Sequence, residues 1–91
     1  MNTIAADLIN KEDIENYKII DAPESHTSEL RYKLQSAVRL GNEFKSKSVI
    51  TFNTTAGPKR VETTVWMLTD SYIQLKNGIM IPLNSLLDID Y

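Results

Sequence analysis

At Lys47 the hydrophobic pattern changes period, and this change limits the fold more than any other feature of the chain. Before it, Leu30, Leu34, Ala37, Val38, Gly41 and Phe44 recur at the spacing of one helix face. Arg31, Gln35, Arg39, Asn42 and Ser46 gather on the opposite face. After it, the segment SVITFNT (48–54) is β-branched and aromatic, as strands are. Thr55-Ala56-Gly57-Pro58-Lys59 is a turn, and RVETTVWMLT (60–69) a long strand that alternates at first and then turns apolar on both faces. Tyr72–Lys76 and Ile79–Pro82 flank Asn77-Gly78, the strongest short-range hairpin signal. Pro82 marks an edge or a bend, and Asn84-Ser85 turns the chain into Leu86–Tyr91.

One helix followed by four or five sequence-adjacent strands is α+β. The expected bounds are a helix over about 24–45 and strands over about 48–54, 60–69, 72–76, 79–82 and 86–90, all in one domain over 21–91. Asp21-Ala22-Pro23-Glu24 has the composition of a capping box, with a second start signal at Thr27 or Ser28. Residues 1–20 read as an acidic, partly mobile arm. Two packings fit: an N-terminal helix on an open antiparallel meander, or a small barrel capped by that helix. The helix stripe is expected to cover the strands that contain Phe52 and Val65–Leu68, with Val65 and Met67 beneath it and Trp66 closing the other side.

The bent segment Val61–Thr69, the Asn77-Gly78 hairpin and the closing run Ile81-Pro82-Leu83-Asn84-Ser85-Leu86-Leu87 carry a resemblance. In strand order they resemble small barrels of the Sm-like kind, including the Rho-inhibitor (Rof) branch. The stretch VETTVWMLTDSYIQLKNGIMIPLNSLLDID also looks like a pattern that recurs in small uncharacterised bacterial proteins with a helix and a β-meander. These resemblances imply a fold only. The Asp-x-x-Met-Asn and Arg-Gly signatures of Sm proteins are missing, so no residue role is carried over.

The chain has 91 residues, no cysteine and one histidine, His26. That excludes disulfides, thiol catalysis and cysteine-ligated metal, and leaves His26 without the partners a metal site or a catalytic triad needs. There is no glycine-rich nucleotide loop: Gly57-Pro58-Lys59-Arg60 is a surface turn followed by a strand, where a phosphate loop needs a helix. Asp88 and Asp90 read as solvated acids that blunt a strand edge. The expectation is a non-enzyme with no catalytic residue, no cofactor and no metal. No apolar run reaches the roughly 20 residues of a membrane span, and the start lacks the pattern of a signal peptide, so a cytoplasmic location is expected.

Charge is distributed unevenly. Residues 1–29 hold two lysines against seven acids, residues 30–60 seven cations against one acid, and residues 61–91 one lysine against four acids. A basic middle between acidic ends means either an anionic partner or ends that fold back on the middle. Two function classes follow. The first is an interaction module that binds a protein partner or itself, using Leu83, Leu86, Leu87 and Ile89 as an apolar patch. The alternative is a nucleic-acid-associated regulator using Arg31, Arg39, Lys45, Lys47, Lys59 and Arg60, with the acidic arm as internal competitor. Trp66 enters either way: its neighbours Val65, Met67 and Leu68 favour burial, whereas an exposed Trp66 would be a stacking platform for bases.

Overall fold

In chain order, the computed structural model contains β1 (Asp7–Ile9), a 3-10 turn (Lys11–Asn16), α1 (Thr27–Phe44), β2 (Ser48–Phe52), β3 (Lys59–Thr63), β4 (Val65–Leu68), β5 (Tyr72–Leu75), β6 (Met80–Pro82), a second 3-10 turn (Leu83–Ser85) and β7 (Leu86–Asp90). It describes residues 6–23 and 27–91. The expected start at Glu24, and His26, lie outside the described residues. Among the described residues no helix is long and apolar enough to cross a membrane.

The protein is α+β, as expected, with two sheets in place of one. The first has the order β1-β3-β2-β7, antiparallel except for the parallel pair β1–β3; the second is the antiparallel meander β4-β5-β6. Register explains the core of the first sheet. Ile9, Val61, Ile50 and Ile89 stand opposite one another across its four strands. A period-2 strand puts all of these on one face, and Phe52 and Leu86 extend the row. Val65, Leu75, Ile73 and Ile81 do the same in the second sheet. Leu30, Leu34 and Ala37 of α1 complete the core.

Several expectations need correction. The helix is not N-terminal, because β1 and a 3-10 turn precede it. Residues 7–20 are no separate arm: β1 adds to β3, Ile14 is buried, and Ile19 bridges to Thr54. The single strand over 60–69 is two strands parted at Thr64, one in each sheet. Finally, α1 packs on β4, as expected, and also on β7, whereas Phe44 at its end, expected in the buried stripe, is 68% exposed.

A bulge causes the last mismatch with the sequence pattern. Val65 pairs with Leu75, but Met67 pairs with Gln74, so Trp66 is the extra residue on its strand. An extra residue breaks the in/out alternation. Val65 is buried, whereas Trp66 and Met67 are both about half exposed. Trp66 therefore does not close the core, and Met67 does not lie beneath the helix. The closing segment behaves in the opposite way. Leu83, Leu86 and Ile89, expected as a partner patch, are core residues, and Leu87 is partly buried. The second 3-10 turn tucks Leu83 inward, and Ser85 anchors it by donating its hydroxyl to the Pro82 carbonyl at 2.7 Å.

Candidate functional site

The region begins where α1 meets β4. Gly41 allows this contact: a Cβ there would lie 2.6 Å from the Val65 carbonyl oxygen, too close for any side chain. The close approach brings Asn42 and Lys45 against Thr64 and Trp66, around a cavity of about 330 Å³ that Lys76 also lines. Two further cavities share walls with it. A broad groove of about 690 Å³ lies between α1 and β4, lined by Arg31, Gln35, Arg39, Asn42, Trp66 and Met67 among others. A third cavity, of about 370 Å³, is lined by Lys11, Lys45, Lys47 and Lys76 together with Glu12, Glu62, Thr63 and Thr64. Asn42 and Trp66 are common to the first cavity and the groove, and Lys45, Thr64 and Lys76 to the first cavity and the third, so the three adjoin as one depression with Trp66 between the first two.

Its charge is mostly positive and mostly free. Arg31 reaches Asp70 only at 4.0 Å, and Arg39 reaches Glu43 at 3.5 Å one helical turn away. Exposed pairs of this kind contribute about 0–1 kcal/mol and are easily exchanged for a ligand. None of the ion pairs among the described residues uses Lys11, Lys45, Lys47 or Lys76.

Lys45 is held in an uncommon backbone conformation. It is the only non-glycine among the described residues with positive φ, at 54°. Its N–H closes α1 on the Gly41 carbonyl at 2.9 Å, a position usually filled by glycine. Thr63 adds a second irregularity. Its residue is 2% exposed, and its hydroxyl is the one buried side-chain polar atom among the described residues without a hydrogen-bond partner.

Of the six cations singled out in the sequence, the structure brings four into the depression: Arg31, Arg39, Lys45 and Lys47. Lys59 and Arg60 lie at the other end of β3 and are engaged by the N-terminal segment. Lys59 donates to the Asp7 carboxylate at 2.9 Å and stands 5.3 Å from the centre of the Tyr17 ring. Arg60 donates from Nε to the Ala6 carbonyl at 3.2 Å. The Lys59 hydrogen bond, and then its charge, hold the Asp7 carboxyl below the ordinary value. The same hydrogen bond raises Lys59, with burial opposing it.

Sequence reasoning missed Lys11, Lys76, Thr63 and the exposure of Trp66. Lys11 hides in an acidic run, and Lys76 immediately precedes the Asn77-Gly78 turn, whose tip position was a usable signal. Nothing local marks Thr63. Among the described residues no group of three or more His, Cys, Asp or Glu could hold a metal. Compared with known proteins, the chain matches no family model, no curated protein and no solved structure.

Proposed function

We propose that this protein is a non-enzymatic binding module whose depression beside α1 holds single-stranded nucleic acid. The observation that carries this reading is Trp66, half exposed by its bulge in the middle of a groove with arginines on one side and lysines on the other. Bases of any sequence stack on an indole, and cations along a groove follow the phosphate backbone. Gln35 and Asn42 add neutral donors and acceptors in the same groove. The fold that presents it has two sheets, with β3 of one running into β4 of the other through Thr64.

The experiment is a titration of a labelled oligothymidylate, followed by anisotropy. Trp66→Ala should lower affinity by about 1–3 kcal/mol, the usual worth of one stacked base. The logarithm of the affinity should fall linearly with that of salt, with a slope of roughly −0.7 for each phosphate contacted. Absence of binding at low salt would end the reading.

A second reading, self-association, rests on a separate observation. Leu40, Phe44 and Tyr91, together with Ser36, Arg39 and Glu43, line a cavity of about 340 Å³ along α1, and Phe44 and Tyr91 are well exposed. A second copy of the chain is the occupant in this reading, and sedimentation of Phe44→Ser against the parent protein tests it.

A further inference from the structure

We infer that the cavity between Lys11, Lys45, Lys47 and Lys76 is a phosphate-monoester site, with the buried Thr63 hydroxyl as a donor held in reserve for it. The inference goes beyond the groove reading and does not depend on it, since a free phosphate compound would be bound by the same groups. Three segments that are distant in sequence contribute the lysines: the start of the first 3-10 turn (Lys11), the connection from α1 to β2 (Lys45 and Lys47) and the turn after β5 (Lys76).

A bland explanation exists for two of them. Cations near a helix C-terminus complement its dipole, and Lys45 and Lys47 follow the end of α1. Lys11 and Lys76 have no such reason to be there. The balance of charge favours an anion even after opposing groups are counted. Glu12 and Glu62 bring two negative charges, and the helix end roughly half of one. Four ammonium groups exceed that total.

One cost in the free protein is explained by the same ligand. A buried hydroxyl without a partner is costly; Thr63 lines the cavity, and a side-chain rotation that uncovers its hydroxyl lets a phosphate oxygen accept its hydrogen. The left-handed φ of Lys45 belongs to the cap of α1, and it sets this lysine on the wall shared by this cavity and its neighbour. The volume of about 370 Å³ suits a small phosphate compound. The phosphate source is either a free monoester or the terminal phosphate of a strand lying in the adjoining groove.

Calorimetric titration at constant ionic strength tests the site, with inorganic phosphate, a nucleoside 5′-monophosphate, and oligothymidylates with and without a 5′-phosphate. Inorganic phosphate should bind with one site per chain. Lys45→Gln and Thr63→Val should each weaken it by roughly fivefold, the equivalent of one charge contact of about 1 kcal/mol near water. Glu62→Gln should strengthen it by a similar factor, and Lys18→Gln, outside the cavity, should leave it unchanged. Tighter binding of the phosphorylated oligothymidylate assigns a strand end as the source, and tighter binding of the mononucleotide a free compound. No binding of phosphate, or binding insensitive to both Lys45→Gln and Thr63→Val, overturns the site. If oligothymidylates still bind in that case, the groove reading stands alone; if phosphate binds and oligothymidylates do not, the site stands and the groove reading falls.

Discussion

The two ends of β3 differ in how fully their polar groups are satisfied. At its start, Lys59 is 8% exposed, paired with Asp7 and set over Tyr17, and Arg60 is committed to a backbone carbonyl. At its end, Thr63 has a buried hydroxyl with no partner, next to lysines that no carboxylate engages. The ends are four residues apart, or roughly 13 Å along a strand. One end is closed by the protein's own N-terminal segment, and its cations hold the fold together. The other is left open, and its cations are available to a ligand. Counting charges along the sequence cannot separate these two kinds of lysine; their partners do.

The surest way to break the comparison is to undock α1, because the helix carries one wall of the open end. Leu34, almost fully buried, should cost about 2–5 kcal/mol when cut to alanine, and chemical denaturation reads this directly. A loss as small as that of the outward Arg39→Ala, expected within about 0.5 kcal/mol, would mean that the helix is not docked. Gly41→Ala sharpens the same point. Helix propensity gains up to about 1 kcal/mol, but the Cβ would strike the Val65 carbonyl, a clash expected to cost about 1–3 kcal/mol. Net destabilisation is the expected result, with weaker ligand binding because Asn42 and Lys45 move with the helix end.

Thr63→Val has the opposite sign. It removes the orphan hydroxyl while keeping a β-branched shape, so stability should rise by about 1 kcal/mol as phosphate affinity falls. The same change at a satisfied threonine such as Thr54, whose hydroxyl reaches the Gly57 carbonyl at 2.6 Å, should destabilise.

The smallest effect belongs to the closed end and is read through pH. The folded Asp7 carboxyl lies below its ordinary value, so its contribution is present above that value and is lost only as pH falls through the depressed one. Lys59 is raised, so its contribution is present below the ordinary lysine value and is lost as pH rises through the raised one. Docking of β1 should therefore be flat across neutral pH and weaken at both extremes. The amide resonances of Leu8 and Ile9 report it, and a transition near neutral pH would contradict the pairing. Since Asp7 is mostly in water, salt should weaken the effect as well.

The local grammar of the chain was legible in the sequence. The helix stripe from Leu30 to Gly41, the β-rich segment after Lys47 and the Asn77-Gly78 hairpin all follow from spacing and turn chemistry, and all appear as elements. What was not legible depends on pairing between distant segments. Three residues of β1 add in parallel to β3, and no local pattern announces such a contact. A bulge moves Trp66 outward, and it depends on register with β5 that the residues Val65–Leu68 do not encode by themselves. Leu83 and Leu86 looked like surplus apolar groups because a thin single sheet would have had no room for them. With two sheets and a 3-10 turn between, they are core. The lysines of the open site come from three such distant pieces, so only its helix-end lysines were visible in advance.

The central claim is that the open end of β3 binds an anion and the closed end does not. Backbone amide resonances recorded while inorganic phosphate is added, at fixed ionic strength, test this on one molecule. Saturable shifts are expected at Thr63, Thr64, Lys45 and Lys76, with Lys59 and Arg60 unmoved. Equal shifts at both ends of the strand, or shifts confined to Lys59 and Arg60, would contradict it.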